Sequence, residues 1–256
     1  MRKLYHICES WTEEDVRFLS SHGIRTSAAY KGLDVPEDIY LALCNRLKKT
    51  LWHYWWYDYS LSEILNAEYC CISQTYFCGY PKPENSYMTV TFDTSEMCPK
   101  CHMGATQNNS FRVSKVSKHG FWRFLAWEPD KFFVSDDVYA EVFSEYGIPR
   151  MPLLTGSKKV IDGISQLIIP KTNELLKPGY DIETCPVCGR QRYVGSQIPH
   201  TPYFKLHKHP LPGIFQTKET FGGGWYAVSE TLISAKVVRK LLALGETKAS
   251  WLIPCK

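Results

Sequence analysis

Two short turns carry the residues with the clearest chemistry. "CPKC" sets Cys98 and Cys101 three positions apart, and "CPVCG" does the same with Cys185 and Cys188. A Cys-x-x-Cys turn presents two sulfurs at the spacing of neighbouring zinc ligands. The proline after the first cysteine fixes the turn, and Gly189 supplies a position open to left-handed geometry. Structural zinc takes four ligands in a tetrahedron, with zinc–sulfur distances of about 2.3 Å. Two turns therefore complete one site, and the expected cofactor is a structural Zn2+ held by Cys98, Cys101, Cys185 and Cys188. Four thiolates leave no open position, which argues against catalytic zinc. Two other arrangements stay open. Each turn could hold its own metal, completed from among His102, His119, His200, His207 and His209. A redox role would need the turn to open a helix after a strand, whereas the Gly and Asn residues following both turns read as loops.

Something must bring two turns together that lie far apart in the chain, and an internal repeat offers the means. "DKFFVSDDVYAEVFSEYG" (130–147) and "GWYAVSETLISAKVVRKLLALG" (224–245) each read as an aromatic strand, Val-Ser, an acid, an amphipathic helix and Gly. Ser135 and Ser229 are the expected N-caps, with Asp136 and Glu230 favoured by the helix dipoles. Val138, Tyr139, Val142, Phe143 and Tyr146 form one apolar stripe; Leu232, Ile233, Val237, Leu241 and Leu242 form the other. Each segment has its own Cys turn upstream. Pairing the halves about a pseudo-two-fold axis brings equivalent turns face to face.

Upstream, the first third reads as helical and aromatic. "ESWTEEDVRFLSSHGI" offers Ser10 or Thr12 as an N-cap and Gly23 as a stop. "DVPEDIYLALCNRLKKTLWHYWW" opens a second helix at Pro36. Trp52, Tyr54, Trp55, Trp56 and Tyr57 crowd around His53, as core packing or as an exposed patch for a protein partner. "GYPKPENS" (79–86) is the expected internal boundary, and "YMTVTFD" after it alternates as a half-buried strand. The expected architecture is α+β. A helical region spans 1–84, and a zinc-linked twin-repeat domain spans 85–256, with halves of about 85–170 and 171–256.

Composition narrows the function classes. Hydrophobic residues make up 44% and charged residues 22% of the 256, as in an ordinary folded chain. A net charge of +4 is too weak and too dispersed to argue for nucleic acid. Arg190 and Arg192 in "GRQRY" are the only basic pair beside a Cys turn that suggests phosphate. Glu9, Glu13 and Glu14 interrupt any leader-like run, and no stretch of about 18 apolar residues suggests a membrane span. With four of ten cysteines in metal-type turns, the expected location is the reducing cytoplasm. Cys8, Cys44, Cys70, Cys71, Cys78 and Cys255 read as buried free thiols. "FGGGWYAVS" lacks the ending of a phosphate loop and the spacing of a dinucleotide fingerprint, and reads as a hairpin or strand lead-in. No nucleophile–base order or His-Glu-x-x-His is present, so nothing in the sequence argues for an enzyme. Nothing in it bears on oligomeric state.

The paired turns, with the "FFVSDDVYAEVFSEYG" and "YAVSETLISAKVVRKLL" segments, resemble bacterial double-CXXCG motif proteins over about residues 85–256. That resemblance implies an immunity protein of a polymorphic-toxin system, whose partner is a cognate protein toxin neutralised by direct contact. It carries over only the four cysteines. The first turn departs from the motif, having His102 where the family has Gly. The rival readings are a zinc-ribbon nucleic-acid binder and an enzyme with an unrecognised site; a deep pocket with converging titratable groups would favour the latter.

Overall fold

The computed structural model describes residues 1–29, 32–51, 53–123, 127–173, 175–176, 181–194, 205–206, 213–222 and 227–255. The chain is mixed α+β and divides into two units. One holds Met1–Ser60, and the other begins at Leu61.

The first unit is not the helical region expected. It is a three-stranded antiparallel sheet carrying two helices: β1 (Arg2–Cys8), α1 (Glu13–Ser21), β2 (Gly32–Pro36), α2 (Glu37–Leu47) and β3 (His53–Asp58), with strand order β2-β1-β3. The aromatic run expected to extend α2 is β3. Aromatics favour a pleated strand, and a continuous run has no helical period to oppose that. The structure describes the backbone of Tyr54, Trp55 and Trp56 but not their side chains, and Trp52 lies outside the described residues. Both helix starts fall where the sequence placed them. Thr12 caps α1 in a capping box: the Asp15 N–H donates to its hydroxyl at 3.2 Å, and its own N–H donates to the Asp15 carboxylate at 3.0 Å. Tyr5, Ile7, Leu19, Val35, Tyr40 and Leu43 form the core of this unit, with the Tyr5 and Tyr40 rings stacked at 4.2 Å.

The second unit opens with α3 (Leu61–Asn66), β4 (Tyr69–Ile72) and β5 (Tyr76–Phe77). Next come α4 (Tyr87–Thr91), β6 (Phe92–Asp93), β7 (Thr106–Gln107), β8 (Arg112–Val113), β9 (Phe121–Arg123), β10 (Phe132–Ser135) and α5 (Asp136–Val138). The helix begun by α5 widens to a π-turn over Tyr139–Phe143 and ends in a 3₁₀ turn at Ser144–Tyr146. Then come β11 (Arg150–Thr155), β12 (Val160–Leu167), β13 (Lys171–Asn173), β14 (Leu175–Leu176), β15 (Asp181–Thr184) and β16 (Gln191–Val194). The chain closes with β17 (Lys205–Leu206), β18 (Ile214–Thr217), β19 (Thr231–Ser234), α6 (Ala235–Ala243) and β20 (Leu252–Pro254).

Two larger sheets result, ordered β5-β9-β10-β12-β11-β8 and β13-β18-β19-β4-β20. They pair alike. β5 lies parallel on β9 as β13 does on β18, and the next three pairings in each sheet are antiparallel. Ser135 faces Ile164 where Ser234 faces Tyr69, and Pro152 faces Ser165 where Pro254 faces Cys70. The Ser135 N–H donates to the Gly120 carbonyl at 2.9 Å, and the Ser234 N–H donates to that of Gly213 at 2.8 Å.

Three expectations are corrected. Ser229 is buried and caps nothing; Thr231–Ser234 is strand, and Ser234 stands at the N-cap of α6. "YMTVT" is one turn of helix: Thr91 and Phe92 are buried one turn on from the half-buried Tyr87 and Met88. A five-residue alternation is too short to distinguish the two periods. Residues 61–84 do not belong with the N-terminal region, because β4 lies between β19 and β20. The Pro-rich stretch at 79–86 is internal to the second unit. Ser135 does cap α5, accepting from the Val138 N–H at 3.3 Å.

Candidate metal centre

The first cysteine turn lies in the loop between β6 and β7, and the second joins β15 to β16. Both fold by the same backbone bonds. The Cys98 N–H donates to the Met103 carbonyl at 2.9 Å, and the His102 N–H donates to that of Cys98 at 2.8 Å. In the second turn, Cys185 N–H to Arg190 carbonyl and Gly189 N–H to Cys185 carbonyl both measure 2.9 Å. The residue after the second cysteine is left-handed in each, with φ of +57° at His102 and +72° at Gly189. The departure from Gly at position 102 therefore leaves the knuckle geometry intact, at a strain cost of about 1 kcal/mol for a residue with a Cβ.

The four sulfurs converge. Cys98 Sγ lies 3.8 Å from Cys185 Sγ, Cys101 Sγ lies 3.6 Å from Cys188 Sγ, and all four are within 4.8 Å of one another. A zinc tetrahedron with 2.3 Å bonds has sulfur–sulfur edges of about 3.8 Å, whereas a disulfide would need about 2.05 Å. Cys98, Cys101 and Cys185 are buried, and Cys188 is exposed. The N–H groups of Cys101 and Lys100 point at the Cys98 sulfur and pull its pKa down to about 6. The N–H groups of Cys188 and Val187 lower that of Cys185 in the same way. Burial, reinforced by the neighbouring sulfurs, pushes Cys101 up to about 12. Thiolates gathered this closely need a cation to offset their repulsion, so the donor set fits a metal site.

Arg190 ties the two knuckles together. Its Nη1 donates to the Met103 carbonyl at 3.0 Å and the Glu96 carbonyl at 3.1 Å, reaching from the second turn to both flanks of the first. Arg192 holds Glu183 through Nε and Nη2, at 2.9 and 2.7 Å. Both arginines of "GRQRY" are thus engaged within the protein. Gly104, at φ +112°, passes so close to this clamp that a Cβ would lie 2.3 Å from the Glu96 carbonyl oxygen and 2.7 Å from Arg190 Nη1. Gly104→Ala is therefore expected to loosen metal retention about tenfold, as disturbed outer-shell partners do. Competition against a chromophoric chelator measures it; unchanged retention would show that the clamp does not support the site.

The remaining candidates are dispersed. His119 stacks on Tyr76, with ring centroids 3.3 Å apart, and joins no metal-type group among the described residues. His200, His207 and His209 lie outside the described residues. The other cysteines are all free: Cys70, Cys71 and Cys255 are buried as expected, Cys44 and Cys78 are partly buried, and Cys8 is exposed. Phe221 and Val228 exchange backbone bonds at 2.7 and 2.9 Å as an antiparallel bridge, and residues 223–226 of "FGGGWYAVS" lie outside the described residues.

The sequence reading missed a cavity of about 640 Å³, whose wall includes Cys101 and Met103. Glu128, Asp130, Lys131 and Lys171 converge on it. Glu128 is buried, and that burial, with Asp130 nearby, pushes its carboxyl up to about 8. Its only trace in the sequence is "WEPDK", charges set between aromatic segments that form core strands.

Comparisons with protein-family models, curated proteins and solved structures find no match for this chain. Among the described residues no helix is long and apolar enough to cross a membrane.

Proposed function

We propose that this chain is a non-enzymatic binding protein of the cytoplasm, an immunity protein that neutralises a cognate protein toxin by direct contact, with one structural zinc ion at Cys98, Cys101, Cys185 and Cys188. The observation that carries this reading is the convergence of four sulfurs, two from each of two knuckles closed by the same backbone bonds. A closed four-thiolate site braces a scaffold and activates no water. The paired turns are also the basis of the resemblance to double-CXXCG proteins. Thiolate ligands of this kind suit a reducing compartment. We further read the second unit as two copies of one element set, about 61–157 and 158–255. The matched pairings of the two large sheets support these limits over a division at 170.

The test is co-expression with the toxin encoded beside the gene. Protection of the cell and co-purification of the two chains are expected; a neighbouring toxin that neither binds nor is blocked would defeat the immunity reading. A second reading, an enzyme, has one observation in its favour, the cavity lined by Glu128, Asp130, Lys131 and Lys171. Nucleic-acid binding has none, since Arg190 and Arg192 are spent on protein partners.

A further inference from the structure

The cavity beside the knuckles is lined by two unlike sets of side chains, which meet where Tyr87 bonds Glu128. One set is aromatic and apolar, with Tyr87 and Trp127 stacked at 5.4 Å, and Met88, Phe92 and Met97. The other is charged: Glu128, Asp130, Lys131 and Lys171. A void of about 640 Å³ lies in the range that holds drug-sized ligands and cofactors.

The charged side chains are unevenly satisfied. Asp130 and Lys131 pair at 3.1 Å. Tyr87 is hydrogen-bonded to Glu128. Among the described residues the Lys171 ammonium has no hydrogen-bond or ion-pair partner, while its backbone pairs with Gln216 of β18. Water reaches it, yet the surrounding protein desolvates its ammonium enough to lower its pKa, with Asp130 the nearby charge that opposes this. A cation held so is short of an anion. Glu128 does not supply one at neutral pH, because burial keeps its carboxyl protonated and able to donate. Arg190 and Lys218 add positive charge to the wall.

We propose that this cavity binds a small organic anion, its acidic head on the Lys171 ammonium and the Glu128 carboxyl, its flat apolar body against Tyr87 and Trp127. The site is separate from the four-cysteine centre in its chemistry, although Cys101 shares its wall.

Fluorescence titration of the metal-loaded full chain tests this with two probes of matched body. One is 1-anilinonaphthalene-8-sulfonate, and the other is the uncharged N-phenyl-1-naphthylamine. The sulfonate is expected to bind one per chain, at least tenfold more tightly than the neutral amine. Lys171→Met is expected to weaken the sulfonate at least tenfold without changing the amine, while Lys171→Arg restores it and Lys158→Met, on a remote turn, changes neither. Should Lys171→Met fail to fold, Lys171→Gln provides the same comparison. Equal affinity for both probes, or sulfonate binding indifferent to Lys171, would mean only a greasy surface and would overturn the proposal. So would failure of the sulfonate to bind.

Discussion

Removing the metal from the purified protein is expected to lower its melting temperature by 10 °C or more, and Cys101→Ser should do the same without a chelator. Cys98, Cys101 and Cys185 form a small cluster of their own, and Met103 is the one partly buried apolar side chain among the described residues packed against it. Little apolar surface is available to hold the two knuckles closed once the sulfurs repel. Structural zinc contributes roughly 10–16 kcal/mol to the folding of isolated finger peptides. Here the knuckles sit on a unit with an independent core around Phe111, Trp122 and Phe133, which has no stake in the metal. A loss of roughly 4 kcal/mol is therefore the reasonable scale, and for a chain of this size that corresponds to a shift of about 10 °C. Amide exchange should accelerate at residues 97–104 and 184–191 while the strands carrying Trp122 and Phe133 stay protected. Elemental analysis should find one zinc per chain. Iron in its place would preserve the site and change the ion, since four thiolates also suit iron. Protein purified metal-free with an unchanged melting temperature would end the structural-zinc reading.

The second large effect concerns Glu128. A carboxyl whose folded pKa, about 8, lies above its unfolded value favours folding only while protonated. Its contribution is fully present below about pH 4.5, is lost as pH rises through 8, and is flat above that. Glu128→Gln keeps the shape, can still accept from the Tyr87 hydroxyl and never ionises. The variant is expected to match the parent within about 1 kcal/mol at pH 5 and to exceed it by roughly 2–4 kcal/mol at pH 8.5. Burial is the first cause of the shift and Asp130 the second, so Asp130→Asn should lower the Glu128 pKa without removing the slope. Urea titrations across this range decide the matter. Parallel stability profiles for parent and variant would show that the carboxyl ionises freely in the folded protein.

How much of this was legible in the sequence depended on how far each feature reaches along the chain. The sulfur cluster was legible because each half is a local turn whose spacing is dictated by the metal. The caps at Thr12 and Ser135 were legible for the same reason. The left-handed backbone at His102 could not be read, since a histidine gives no warning of a positive φ. The second helix was misplaced because Val228-Ser229-Glu230 imitates Val134-Ser135-Asp136. The segment that occupies the place of Phe132–Ser135 is Thr231–Ser234, and the two share only the serine. The likeness of β4's place in its sheet to that of β12 was beyond reach, because β12 pairs with its hairpin neighbour β11 whereas both partners of β4 lie at the far end of the chain. The N-terminal sheet was hidden by an aromatic run with no period. The cavity draws its walls from segments near residues 87, 101, 128, 171 and 218, so no local pattern announces it.

The position of β4 also governs how the chain can be made. Tyr69–Ile72 leaves the ribosome early, yet its two neighbours, Thr231–Ser234 and Leu252–Pro254, are translated about 160 and 180 residues later. At roughly 5–20 residues per second, an apolar strand with both edges open waits on the order of ten seconds for its partners. All four of its residues are buried when that wait ends. The nascent polypeptide therefore depends on chaperone cover during elongation, and nonsense mutations after residue 72 but before 231 release products that present a sticky, unpaired strand.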